Sequence, residues 1–237
     1  MIKLLQGDCL ELMQDIPDGS VDMILCDLPY GITACKWDSV IPFEPLWVQY
    51  KRVIKSNGAI VLFGSQPFTS ALVMSNVKWF KYQWVWDKKI AGNPLIAKYH
   101  PLKVHEDICI FSKKSHKYYP EMRKGIMRTK GGGKSNILNM DMSKSVNDEY
   151  YPTSILHYSN AKRGIHPTQK PVPLLEYIIK TYTNEGETVL DNTMGSGSTG
   201  VAAKNLNRSF IGIELNPEYF RIAKERIEST QWGFLTI

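Results

Sequence analysis

The sequence predicts an α/β fold, a mostly parallel central sheet with helices on both faces, and three observations predict it. Apolar runs of strand length alternate with segments of helical periodicity along most of the 237 residues. Ala59-Ile60-Val61-Leu62-Phe63 is apolar at every position, as a parallel strand covered on both faces must be. Two of the runs also end in an acid followed by a turn, Asp27-Leu28-Pro29-Tyr30 and Asp191 with the glycine turn after it, and open α/β sheets bind ligands at the carboxyl ends of their strands.

Each element follows from its residues. Ile2-Lys3-Leu4-Leu5-Gln6 reads as a short strand, and Asp8 with Glu11 three positions on has the spacing of a capped helix start. The apolar run 21–26 delivers Asp27, Leu28, Pro29 and Tyr30 into a loop. After Trp37-Asp38, a helix is marked by Phe43, Leu46, Trp47, Tyr50, Val53 and Ile54 and stopped by Ser56-Asn57-Gly58. The strand 59–63 leads through Gly64-Ser65-Gln66-Pro67 into another helix, and 80–86 and 107–111 read as strands, with Trp79, Trp84 and Trp86 as core rings. Pro171 opens a helix carrying Leu174, Leu175, Ile178, Ile179 and Tyr182. Glu187-Thr188-Val189-Leu190-Asp191 is a strand feeding the small-residue turn 192–199 and a helix with Val201, Ala202 and Leu206. A last strand, 209–213, ends in Glu214, and Asn216-Pro217-Glu218-Tyr219 caps a closing helix.

Between 112 and 163 the apolar periodicity fades. Lys113, Lys114, Lys117, Arg123, Lys124, Arg128, Lys130 and Lys134 gather around Gly131-Gly132-Gly133, punctuated by Tyr118, Tyr119, Tyr150, Tyr151 and Tyr158. The stretch reads as an insertion, 112–163, in a single catalytic domain made of 1–111 and 164–237. Cations interleaved with aromatic rings suit phosphates and bases, and a solvated basic loop accounts for the same residues.

Lys and Arg outnumber Asp and Glu by 29 to 23, a net charge of +6 with a sequence pI of about 9.0, which favours an anionic partner. No stretch reaches the roughly 18 apolar residues of a membrane span, and the first residues are too soon polar for a signal peptide. An intracellular, cytoplasmic protein is expected, with no membrane partner. Cys9, Cys26, Cys35 and Cys109 lack metal-site spacing, so reduced thiols and no metal are expected.

The chemistry concentrates at the two strand ends. A carboxylate at 27 suits an amino group as hydrogen-bond donor and the Tyr30 ring suits a flat base, while a strand end with an Asp-Pro turn accounts for the same residues. Gly195-Ser196-Gly197 lets a ligand approach the backbone at a helix start, and Glu214, about twenty residues beyond, is where an acid takes ribose hydroxyls. That pair reads as a nucleoside-cofactor half-site, and the absence of a Walker lysine argues against a nucleoside triphosphate.

Taken together, the chain resembles the amino-methyltransferases of DNA, which move a methyl group from S-adenosylmethionine to adenine N6 or cytosine N4. Asp27-Leu28-Pro29-Tyr30 resembles their catalytic motif, the stretch 191–199 their cofactor loop, and His166-Pro167-Thr168-Gln169-Lys170-Pro171 the segment that lines the methionine end of the cofactor. The order of the three is that of the family's beta class, and the resemblance covers nearly the whole chain. Leu28 stands where the family has a proline, and Asn192-Thr193 where it has Pro-Phe, an apolar wall near the cofactor.

The resemblance implies a permuted Rossmann-like methyltransferase fold and a site-specific enzyme acting on a flipped adenine of double-stranded DNA. Cytosine N4, or a catalytically weak nucleic-acid-binding module of the same fold, are the alternatives. Asp27, Leu28, Pro29 and Tyr30 would be catalytic. Asp8, Cys9, His166, Thr168, Lys170, Asp191, Asn192, Gly195, Ser196, Gly197, Thr199 and Glu214 would bind S-adenosylmethionine, with Lys170 on its carboxylate. Lys113, Lys114, Arg123, Lys124, Arg128, Lys130 and Lys134 would contact DNA. A homodimer is a further expected assembly.

Overall fold

A computed structural model describes residues 1–31, 39–92, 95, 97–135, 140–142, 144–160 and 169–233. The readings made above on Cys35, Trp37, Asp38, His166, Pro167 and Thr168 lie outside the described residues.

In chain order the main elements are β1 (Ile2–Gln6), α1 (Cys9–Leu12), β2 (Val21–Cys26), α2 (Phe43–Val53), β3 (Ile54–Gly64), α3 (Phe68–Ser75), β4 (Phe80–Asp87) and β5 (His105–Phe111). There follow β6 (Arg123–Lys130), β7 (Gly133–Ser135), β8 (Met140–Met142), β9 (Ser145–Tyr150) and β10 (Ile155–His157). The chain closes with α4 (Val172–Tyr182), β11 (Thr188–Asp191), α5 (Ser198–Asn205), β12 (Ser209–Glu214) and α6 (Pro217–Ser229).

All six residues of β2 are buried. Each apolar side chain there contributes about 1.5–3 kcal/mol by leaving water, so β2 belongs in the middle of the sheet. The order is β1-β12-β11-β2-β3-β5-β4-β10. Alternating residues face opposite sides. Ile24 and Cys26 join Met13, Leu46, Tyr50 and Leu72 beneath α2 and α3, whereas Met23 and Leu25 join Leu175, Ile179, Ala202 and Ala223 of α4, α5 and α6. The two-sided parallel sheet follows as expected, and Trp79, Trp84 and Trp86 are buried in it.

Strand β5 departs from that pattern. It runs antiparallel to both β3 and β4, so its first residues, not its last, lie beside the carboxyl ends of the parallel strands. Its register sets Asp107 opposite Gly64 and Glu106 opposite Trp86.

Pro120–Thr153 forms a compact unit of its own, a shorter stretch than 112–163. Residues 112–119 stay with the main body, and β10 pairs with β4 in its sheet. Within the smaller unit β6 and β9 form an antiparallel ribbon, bulged where 125–127 face Asp148 alone. The Tyr150 hydroxyl donates to the Ile126 carbonyl at 2.8 Å, and the ring lies where a Cβ on Gly125 would come within 2.9 Å. Glycine at 125 thus lets the ring lie flat on the ribbon.

Candidate active site at the carboxyl ends of the strands

The parallel strands β1, β12, β11 and β2 are consecutive neighbours, so Asp8, Glu214, Asp191 and Asp27 emerge side by side at one end of the sheet. Residues 27 and 191, far apart in sequence, are brought together because Leu190 pairs with Ile24. Thr193 stitches the two loops directly, its hydroxyl donating to the Asp27 carbonyl at 3.1 Å.

The cofactor-type turn is shaped by backbone conformation. Gly195 (φ 53°) and Gly197 (φ 81°) are left-handed, a region L side chains rarely occupy. A Cβ on Gly197 would also sit 3.0 Å from the Ala223 Cβ. Glu214 holds the turn: one oxygen accepts from the Gly195 N–H at 2.9 Å, the other from the Asn216 N–H at 2.8 Å. Burial pushes its carboxyl up, against those backbone donors. Asp191, fully covered, is pushed up to about 7 by burial, opposed by the Thr199 hydroxyl and the Thr193 N–H. Ser196 is anchored by Arg226, and Ser198 Oγ, on the first turn of α5, is buried with no partner among the described residues. Asp8 caps α1, accepting from Leu10 N–H at 2.7 Å and Glu11 N–H at 3.3 Å; it is exposed, beside buried Cys9.

Asn192 does not face the opening. It is 1% exposed, and its Oδ1 accepts from the Tyr50 hydroxyl at 2.6 Å and from Cys26 Sγ at 2.8 Å. Its Oδ1 therefore ties the turn to the core, while its Nδ2 is buried with no hydrogen-bond partner among the described residues. The two departures from the family's cofactor loop, Asn192 and Thr193, are both spent on joining β11 to β2.

At the end of β2, Leu28 is buried in the core and anchors the loop. The Tyr30 hydroxyl donates to Asp27 Oδ1 at 2.7 Å, and its ring lies 4.9 Å from Phe68, tilted by 31°. Burial, then the Asp27 and Glu106 carboxylates, hold the phenol un-ionised. Lys170 donates to Asp27 Oδ2 and lies 3.4 Å from Glu106 Oε2, while Lys88 pairs with the other Glu106 oxygen. Burial works against the Lys170 charge, and the two carboxylates outweigh it and raise its pKa. The ammonium expected to meet a cofactor carboxylate lies between the Asp27 and Glu106 carboxylates. Glu106, Lys88 and Phe68 were missed from the sequence. Only the acidic pair Glu106-Asp107 heading an apolar run hinted at the first of them.

The basic residues divide. Lys113 and Lys114 follow β5, which runs away from the site, so they lie at the opposite end of the sheet and are not brought to it. The seven residues of β5 at about 3.4 Å each span more than 20 Å. Lys117 is engaged at that far end by Asp22 and Glu187. Arg123, Lys124 and Arg128 are exposed on β6, Arg123 donating through Nε and Nη2 to the Tyr151 carbonyl at 3.2 Å. Lys130 ends β6, and Lys134 lies on β7.

A mostly parallel sheet that lines up acids at adjacent strand ends, beside a glycine turn at a helix start, defines the class of Rossmann-like proteins that bind nucleoside-type cofactors. Comparison with known proteins narrows this: residues 21–225 match the family model described as DNA methylase, and the chain belongs to that family. It is similar to the type II methyltransferase M2.DpnII of Streptococcus pneumoniae, 30% identical with 95% of this chain and 89% of the relative covered. The DNA adenine methyltransferase YhdJ of Escherichia coli is 28% identical, with 95% and 82% covered. Among solved structures, the M1.HpyAVI–SAM complex superposes with a TM-score of 0.68 at 30% identity, covering 95% of this chain and 100% of that one. The cytosine-N4-specific PvuII methyltransferase, at 17% identity and a TM-score of 0.69 over 95% and 86% of the two chains, shares the fold.

Among the described residues no group of His, Cys, Asp and Glu is placed to hold a metal, and no helix is long and apolar enough to cross a membrane.

Proposed function

We propose that the chain methylates the exocyclic N6 of adenine in double-stranded DNA, with S-adenosylmethionine as methyl donor. One observation carries the reading: Asp27, its side chain 25% exposed, stands with Tyr30 at the end of β2, stitched by Thr193 to the glycine turn. Family membership and the likeness to a DNA adenine methyltransferase support it.

The residues fit the donor. The left-handed glycines carry no side chain at 195 and 197, Ser198 Oγ lacks a partner among the described residues, and Asp8, Asp191 and Glu214 line three neighbouring strand ends. Glu214 would take ribose hydroxyls, Asp8 the adenine edge, and the backbone of 195–199 the remainder. When bound, the donor supplies a methyl group on a cationic sulfonium.

The protein's task is positioning. A base in a duplex must be extruded at a cost of a few kcal/mol, and the Tyr30–Phe68 pair offers an aromatic wall to receive it. The exocyclic amino nitrogen is a weak nucleophile because its lone pair is delocalised into the ring. Hydrogen bonds from that amino group to the Asp27 carboxylate and to the Leu28 or Pro29 carbonyl favour a pyramidal nitrogen aimed at the methyl group. The cations of the smaller unit, Arg123, Lys124, Arg128, Lys130 and Lys134, would fix register on phosphates.

The test is mass spectrometry of nucleosides from DNA of a methylation-deficient host incubated with the protein and S-adenosylmethionine. N6-methyladenine is the expected product. N4-methylcytosine would transfer the assignment to the other base, and no methylated nucleoside together with no calorimetric binding of the donor would leave a nucleic-acid-binding module.

A further inference from the structure

We propose that Glu106 is a positioning residue for the reaction: it holds the Lys170 ammonium between its own carboxylate and that of Asp27, and so fixes Asp27 for the target amino group. The proposal rests on the reading of Asp27 given above and goes beyond it, since it assigns Lys170 to Asp27 in place of the cofactor and gives a role to a residue outside every motif.

The geometry is a chain of four charges crossing four elements. Lys88, just past β4, pairs with Glu106 Oε1 on β5. Glu106 Oε2 makes no hydrogen bond among the described residues and faces Lys170 Nζ at 3.4 Å. Lys170, immediately before α4, donates to Asp27 Oδ2. Two ammoniums and two carboxylates cancel, which lets the group be desolvated. Glu106 is held below the ordinary carboxylate range: burial opposes its charge, and Lys170 and Lys88 outweigh it.

What distinguishes this chain from a structural ion network is where it ends. The Lys170 and Glu106 side chains are 9% and 14% exposed, and Asp27, at 25%, is the more open carboxylate. Lys170 also lies over the Phe63 ring, 5.0 Å from its centroid, so carboxylates and an aromatic face surround the ammonium. Asp27 is gripped on both oxygens, by the Tyr30 hydroxyl and by Lys170, which sets the plane of the carboxylate and leaves its remaining lone pairs for a ligand. Without the Glu106 charge, Lys170 has a single anionic partner among the described residues and the carboxylate loses its set orientation.

The test measures methyl transfer to long DNA from a methylation-deficient host, with calorimetric affinity for S-adenosylmethionine, on four variants. Glu106→Gln keeps the shape and is expected to lower kcat about tenfold or more, since small misplacements at a reacting centre cost up to about a hundredfold. The KM and Kd for S-adenosylmethionine should stay within about twofold of wild type. Lys170→Met should lower kcat further with the same Kd, and Lys170→Arg should recover part of the loss. Wild-type kcat in Glu106→Gln overturns the proposal, as does a Lys170→Met variant that loses donor affinity yet keeps kcat at saturation. If Glu106→Gln does not fold, the Lys170→Met and Lys170→Arg pair decides by the same criterion. Asp27→Ala separates the layers: full turnover there removes the underlying reading of Asp27, whereas loss of turnover there with none in Glu106→Gln removes the proposal alone.

Discussion

Strand β2 carries one aspartate at each end, and both are paired with lysine. Asp22, where the strand enters the sheet, has a side chain 3% exposed and accepts from Lys55 at 2.8 Å, Lys117 at 3.2 Å and the Thr188 N–H at 3.1 Å. Asp27, where the strand leaves, is 25% exposed. Burial works against the Asp22 charge, but Lys55, Thr188 and Lys117 outweigh it and hold its carboxyl below the usual range. The same residue type with the same counter-charge thus serves cohesion when its lone pairs are consumed internally, and is available to a ligand when one edge stays open.

Removing the open carboxylate gives the largest effect. Asp27→Ala should cut methyl transfer roughly 10³-fold while leaving the melting temperature and donor affinity nearly unchanged; tritium transfer and thermal unfolding report both, and comparable losses in activity and stability would erase the contrast.

Next in size, Asp22→Ala should leave Lys55 without its carboxylate, Lys117 with Glu187 alone and the Thr188 N–H without its acceptor. It should cost about 1–3 kcal/mol of stability, read in urea unfolding, with turnover per folded molecule preserved. Because the Asp22 pKa is lowered in the folded state, its contribution is present above the unfolded value and lost as pH falls through the folded one. The variant should therefore lack part of the acid limb below about pH 4.

The last effect shows only as pH changes and belongs to Asp191, whose carboxyl is pushed up to about 7 by burial. For a raised acid the sign is reversed: stability is fully present below the unfolded value and falls as pH rises toward 7. Wild type should thus lose up to about 1.4 kcal/mol per pH unit between roughly pH 4 and 7 relative to Asp191→Asn. Parallel stability curves for the two proteins across that window would contradict the assignment.

Much of this was legible because burial writes itself into residue type. The strands β2, β3, β11 and β12 are dense in Val, Ile and Leu, and the acids that end them stand out against that background. The direction of β5 was not legible, because an apolar run reads the same either way. From that one ambiguity follows the oversight of Glu106, which sits at its near end, while Lys113 and Lys114 follow its far end. The ribbon β6–β9 escaped notice for a different reason: Arg123-Lys124-Gly125-Ile126-Met127-Arg128 is exposed on both sides, so no alternation marks it. Lys170 was flagged, and its partner was not, because an ammonium within a motif does not announce which carboxylate it meets.

The pairing of β2 with β11 also bears on how the protein comes to be made. Cys26 and Asn192, in contact across that seam, are 166 positions apart, and contacts so distant in sequence must await loop closure before they stabilise anything. During synthesis β2 waits as a largely apolar edge until β11 leaves the ribosome, and β1 waits longer for β12. A chain interrupted before residue 188 would own Asp27 and Tyr30 yet have no turn to set beside them. Catalytic competence therefore arrives as one late event, with the closing of the sheet.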